Sequence, residues 1–299
     1  MKLKPKSSFG GGPFELKTST TISGAYHQTR DHAPMPRKIW AYWSSTDLPE
    51  LIAACMRTWT LHNSDYDVIL VTPQTLPDYV RNIPENLFEE TPQRQSDWAR
   101  LALLAEHGGI YMDATIVVSG DISFVGETMA EAGAEAFGYY LNRWTRDASR
   151  PVIESWMVAA APHSEFITAW KDEFENAIRL GAGNYVRMLK REENFPALRQ
   201  GISAPTYLNI HLAAQRILGR DHGYKIVMLK AEDGPYSIHH AFGWRKRRIR
   251  HAICDMNAAE ISQSSITKLR GWEWRAILAR LSNKKRGVAE NSLVASLVG

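Results

Sequence analysis

Apolar positions along the chain fall into short continuous runs separated by longer stretches with helical spacing, an alternation that predicts an α/β fold. The run Lys38-Ile39-Trp40-Ala41-Tyr42-Trp43 follows Pro34 and Pro36 and reads as a first strand. Between 48 and 62, Leu51, Ile52, Cys55, Met56 and Trp59 recur at helical spacing, and 67–72 is a second, nearly all-apolar run of the kind buried on both faces of a parallel sheet. Together they form a βαβ unit. A further helix is predicted over 94–107, where Trp98, Leu101, Ala102, Leu104 and Ala105 make a stripe that Gly108-Gly109 ends in a left-handed turn. Ile110-Tyr111-Met112 then leads through Asp113-Ala114-Thr115 into Ile116-Val117-Val118, so a glycine pivot delivers the chain to a carboxylate between two strand segments. Strands are also predicted over 136–141, 156–161 and 225–229, and helices over 164–180, 206–218 and about 267–281.

Composition narrows the class without naming it. With 299 residues, 44% hydrophobic and 23% charged, the chain is ordinary globular protein, which excludes fibrous and disordered types. Its two cysteines, Cys55 and Cys254, are too few for a disulfide framework and point to a reducing, cytoplasmic setting. No signal peptide and no uninterrupted apolar run of about 18 residues is visible, so any membrane contact is expected to be peripheral, on the inner face of the cell membrane. The net charge of +4 hides an asymmetry: residues 245–299 carry twelve Lys and Arg against four acids, which leaves the rest mildly acidic. Three parts are expected: a flexible Gly-, Ser- and Lys-rich leader (1–35), an α/β domain (36–244) and a basic, helical C-terminal extension (245–299).

Asp97 and Arg100 stand at i and i+3 near the start of the 94–107 helix, away from its apolar stripe. Spacing alone allows a surface ion pair, which contributes little to stability. The order Ser96-Asp97-Trp98-Ala99-Arg100, Leu103-Leu104, Gly108-Gly109-Ile110-Tyr111-Met112-Asp113-Ala114-Thr115 says more. It resembles the signature block of DXD-type sugar transferases, above all the capsular polysaccharide synthesis group and the α-mannosyltransferase-like family that shares its motif, with large clostridial glucosylating toxins more distant. Weaker matches extend over about 36–244. Lys38 to Trp43 resembles the family's opening strand, and His239-His240-Ala241-Phe242-Gly243-Trp244 its closing segment.

The resemblance implies a GT-A, Rossmann-like nucleotide-sugar-binding fold and a glycosyltransferase. The sugar would pass from a nucleotide-sugar donor, more often a UDP-sugar, to a surface polysaccharide or lipid-linked glycan acceptor, mostly with retention of configuration. It implies that Asp113, Asp97 and Arg100 are catalytic, that Asp97 accepts hydrogen bonds from sugar hydroxyls, and that Arg100 bridges sugar and phosphate. Trp43 would stack on the base, with Tyr111 and Trp244 also binding substrate. A divalent metal, Mn or Mg, would be held by Asp113, Thr115, His239 and His240. Thr115 departs from the paired-acid pattern, and a hydroxyl is a weaker ligand than a carboxylate for a hard cation. Nothing names a catalytic base. Asn142, Arg143, Trp144 and 184–195 are candidates for the acceptor side.

P-loop, dinucleotide-binding, zinc-protease and nucleophile-elbow motifs are absent from the sequence. The basic run 244–251 suits a solvated face, a phosphate or anionic lipid contact, or nucleic acid; no binding module supports the last, and no nucleic-acid partner is expected. Two alternatives remain at this point: a nucleotide-sugar hydrolase on the same fold, and a non-catalytic protein that binds anionic surfaces. Trp274, Ile277, Leu278 and Leu281 form one stripe in the tail, fit either to lie in a membrane interface or to pack on the domain.

Overall fold

A computed structural model of the protein describes residues 19–23, 33–220, 223–262, 264–283 and 287–298. Strand β1 (Ser19–Ser23), strand β2 (Lys38–Tyr42), helix α1 (Glu50–His62) and strand β3 (Asp67–Val71) come first. Then follow α2 (Leu76–Tyr79), α3 (Pro92–His107), β4 (Gly109–Met112), β5 (Ile116–Val118) and α4 (Phe124–Ala132). Strands β6 (Ala136–Tyr140) and β7 (Ile153–Ala160) precede α5 (Glu165–Leu180), α6 (Ala182–Leu189), α7 (Phe195–Arg199), α8 (Asn209–Leu218) and strand β8 (Lys225–Lys230). The remainder holds α9 (Ser237–Ala241), α10 (Lys246–Asp255), α11 (Ala258–Ile261), β9 (Ile266–Lys268), α12 (Gly271–Leu281) and α13 (Ala295–Val298).

Seven strands form one mixed sheet in the order β1-β8-β6-β7-β4-β2-β3. β3, β2 and β4 run parallel, as do β6 and β8, while β7 lies antiparallel between β4 and β6, and β1 runs antiparallel to β8 at the edge. β2, β4 and β6 therefore finish at the same edge of the sheet, where β7 begins. Side chains alternate across the sheet: Ile39, Ala41, Ile110, Met112, Met157 and Ala159 pack on one face, Trp40, Tyr42, Tyr111, Val158 and Ala160 on the other. Burial of both faces is why the strands read as apolar runs rather than alternating ones.

Helix α3 begins at Thr91, whose hydroxyl accepts from the Arg94 amide, with Pro92 at the first helical position. It ends where expected. Gly108 (φ 66°) and Gly109 (φ 97°) make the pivot, and a Cβ on either would come within 2.6 Å of Pro162 N or 2.7 Å of Lys38 O. The turn thus needs glycine twice, for conformation and for close approach.

Two segments differ from expectation. Most of the expected flexible leader, 1–18 and 24–32, lies outside the described residues, but Ser19–Ser23 is strand β1, with Ile22 buried against the core. Thr20, Thr21 and Ile22 are β-branched, and pairing with β8 decides their conformation. In the basic extension, the helix predicted from about 267 starts at Gly271, because Ile266–Lys268 pairs instead with β5 as a two-stranded ribbon. The stripe on α12 faces protein: Ile277 is fully buried, and Trp274, Leu278 and Leu281 pack with it against a cluster containing Leu51, Cys55, Ile249 and Ile253. That apolar face is occupied, so the interfacial-helix alternative is corrected to domain packing. No helix among the described residues is long and apolar enough to cross a membrane.

Candidate active site

A cavity of about 620 Å³ opens at the edge where β2, β4 and β6 end. Open α/β sheets bind ligands there. The lining of the cavity includes Asp97, Arg100 and Asp113 from α3 and the end of β4, Glu154, Ser155 and His211 from β7 and α8, and Arg143, Trp244, Lys268, Arg270 and Arg275 from the loop after β6 and the C-terminal part of the chain.

Arg100 is the hub of the acidic part. Its Nη1 donates to Ser155 Oγ (2.6 Å) and pairs with Asp97 Oδ1 (2.7 Å); its Nη2 donates to Ser96 Oγ (3.0 Å) and Asp113 Oδ1 (3.0 Å). Asp97 and Arg100 are only 2% and 3% exposed, so this is no surface ion pair. Burial pushes the Asp97 carboxyl up to about 6, against the opposing pull of Arg100. Burial would also raise Asp113, but Lys268 and Arg100 together hold it below the usual carboxylate range. Its carboxylate, 27% exposed, is the part of this hub that meets the cavity most openly. Tyr111, expected to touch substrate, lies fully buried beneath the hub instead: its ring faces the Arg100 guanidinium at 4.9 Å and its hydroxyl bonds Ser96 Oγ at 2.8 Å. β4 alternation turns it to the core face, where it positions Arg100.

Three further cations of the lining, Lys268, Arg270 and Arg275, come from the tail. The β5–β9 ribbon sets Lys268 beside Asp113, and its Nζ donates to Asp113 Oδ2 and Thr115 Oγ1, both at 2.7 Å. Arg270 precedes α12, and its backbone amide donates to Glu273 Oε2 (2.6 Å), closing the first turn of that helix. The other Glu273 oxygen meets His239 Nε2 at 2.8 Å, both side chains being 1% exposed or less. Trp244 stands on the cavity wall at φ 59°, with Arg143 at 4.5 Å and Arg270 at 5.8 Å over its ring.

The candidate metal set does not assemble. His239 is committed to Glu273 and holds α9 to α12, and His240 points to solvent. Both Asp113 oxygens and the Thr115 hydroxyl are bonded to cationic side chains. Among the described residues there is no group of three His, Cys, Asp or Glu side chains placed to hold an ion. These donors do not fit a divalent metal. Trp43 lies at the end of β2, donating from Nε1 to Asp47 O and meeting the Trp274 ring edge-on at 6.4 Å, and does not line the cavity. Of the acceptor-side candidates, Arg143 and Trp144 reach the cavity, whereas the loop near 203–208 does so in place of 184–195.

Sequence reasoning missed Glu154, Lys268, Arg270 and Arg275. Glu154 sits on β7, 6% exposed, and burial, with Glu232 adding like charge, pushes its carboxyl up to about 7. An acid inside an otherwise apolar run was a signal available in the sequence. Nothing local marked Lys268, which depends on a strand pairing across about 150 residues.

The parallel strands β3, β2 and β4, the Gly108-Gly109 pivot and the cleft beyond Met112 make this an α/β fold with its cavity at the ends of parallel strands. A family model described as capsular polysaccharide synthesis protein matches residues 15–178, more than half of the chain, and the protein belongs to that family. Among solved structures, it is similar to the PaToxG glycosyltransferase (15% identity, 63% of this chain and 80% of that one, TM-score 0.34). It is also similar to a glycosyltransferase involved in glycosylation of the major capsid of PBCV-1 (9%, 80% and 96%, 0.41) and to apo GlyE of Streptococcus pneumoniae TIGR4 (13%, 85% and 65%, 0.38). A search of curated proteins returns no match.

Proposed function

We propose that the protein is a glycosyltransferase that moves a sugar from a nucleotide-sugar donor to a surface polysaccharide or lipid-linked glycan. The observation that carries this is a single cavity lined both by the Asp97 and Asp113 carboxylates and by Arg143, Lys268, Arg270 and Arg275. Such a lining suits a donor whose sugar is all hydroxyls and whose leaving group is an anionic diphosphate. Asp113 and Asp97 accept hydrogen bonds from the sugar, and Arg100 fixes both carboxylates in place. Arg143, Arg270 and Arg275 neutralise the diphosphate as the bond to the anomeric carbon breaks. The acceptor hydroxyl enters past Trp144 and Tyr207, and Glu154, with a carboxyl near 7, is suited to hold its proton near neutral pH. A UDP-linked donor, a hexose as the transferred sugar and retention of configuration rest on the resemblance of the motif block alone.

The cations Arg245, Lys246, Arg247 and Arg250 are exposed on and beside α10, and would hold the enzyme against an anionic membrane where a lipid-linked acceptor lies. The test of the main proposal is a nucleotide-sugar panel incubated with the protein and a lipid-linked acceptor, followed by mass analysis. Acceptor gaining one sugar mass supports transfer; free sugar with unmodified acceptor would make the protein a hydrolase; an intact panel would reject both.

A further inference from the structure

We infer that Lys268 occupies the place a divalent ion would take between the first and third residues of Asp113-Ala114-Thr115, and that the protein binds the donor diphosphate through this resident cation without a metal. The inference rests on the nucleotide-sugar proposal and specifies how that site handles charge.

Three observations point to it. The Lys268 ammonium bridges Asp113 Oδ2 and Thr115 Oγ1 at equal distances of 2.7 Å, so the two motif side chains that would grip an ion already grip a cation. Its side chain is 8% exposed and lines the cavity, which leaves the third ammonium hydrogen as a donor for a ligand there. An ion at the same oxygens would have to displace the ammonium or sit beside it, and the nearby Arg100 and Arg270 add further positive charge.

The identity of residue 115 follows from the same charge count. Asp97, Asp113, Arg100 and Lys268 form a neutral group of two acids and two bases. A second motif carboxylate at 115 would make that group net negative in front of a diphosphate. The Thr115 hydroxyl supplies an oxygen to orient Lys268 and adds no charge. Arg270, just before the following helix, and Arg275 within it extend the set of cations so that both phosphates meet a partner.

The test measures binding of UDP and of inorganic diphosphate by calorimetry, in EDTA and in MnCl2, with the full chain. The wild type should bind in EDTA, and Lys268→Met, checked for a native melting transition, should bind at least tenfold more weakly there. If Lys268→Met does not fold, Thr115→Asp serves in its place: it keeps Lys268 but cancels its charge, and should weaken binding in EDTA by a similar factor. Unchanged binding by the folded variant overturns the inference. Uptake by wild type only when Mn²⁺ is added overturns it too but leaves the glycosyltransferase proposal standing. Uptake under neither condition overturns both. A Mn²⁺ titration followed by the free-ion paramagnetic resonance signal gives an independent reading: no stoichiometric site is expected, and one that disappears in Asp113→Asn would contradict the inference.

Discussion

The acidic and the cationic parts of the cavity lining are built differently. The acidic part is made from α3 and β4, adjacent in sequence and buried, and Arg100 makes four polar contacts that leave it one arrangement. The cationic part is assembled from the loop after β6, the end of α9 and the ribbon and helix of the tail, and Arg143, Arg270 and Arg275 are exposed. A rigid carboxylate frame suits hydroxyls that must be held in one geometry. An exposed arginine wall suits an anion that must enter, be neutralised and leave.

That contrast predicts that damage to the acidic part is structural as well as catalytic, whereas damage to the exposed arginines changes affinity alone. Arg100→Met leaves Asp97 and Asp113 facing each other without their shared partner. It should destabilise the fold by about 3–5 kcal/mol in denaturant titrations and abolish transfer. A stable, active variant would show that the buried network has no such role. Asp113→Asn keeps the shape but puts an amide NH2, which cannot accept, against Arg100 or Lys268, so stability should fall by about 1–3 kcal/mol while transfer falls at least a hundredfold.

Glu154, also in the lining, offers a separate test. Burial raises its carboxyl from 4.5 to about 7, so the folded state holds the proton more tightly than the unfolded chain. Its contribution to stability is complete below about pH 4.5 and is lost as pH rises through 7. Glu154→Gln should therefore stabilise the protein by about 3 kcal/mol at pH 8 and have little effect at pH 4.5, measured by urea unfolding at both values. An equal change at the two pH values would place no ionisation there. Arg275→Ala, on the exposed wall, should raise donor KM about tenfold with melting unchanged; a fall in stability instead would mean that the wall is as structural as the hub. The smallest effect is expected at α10, where replacing Arg247 and Arg250 with Ser should reduce co-sedimentation with anionic vesicles severalfold and leave turnover of a soluble acceptor as it was.

The same division explains what could be read from the chain. Asp97, Arg100 and Asp113 lie within seventeen residues, on a helix, a glycine turn and a strand whose patterns are local, and the structure brings all three together. Trp244 also reaches the cavity. Tyr111 and His239 are corrected by facts the motif does not carry: the side of β4 on which Tyr111 falls, and the buried Glu273 that claims His239. Lys268 was illegible for a related reason. A lone lysine in Ile266-Thr267-Lys268 acquires meaning only when that segment pairs with Ile116-Val117-Val118, and strand register at this separation is set by packing rather than by spacing. The stripe on α12 was legible as amphipathic, but its partner was not, because Leu51 and Cys55 lie more than two hundred residues earlier.

In crystals soaked with a UDP-sugar in EDTA, diffraction should show the diphosphate against Lys268, Arg270 and Arg275, and the sugar hydroxyls on Asp113 and Asp97. A nucleotide bound away from this cavity, or one whose diphosphate leaves all three cations untouched, would contradict the proposed site.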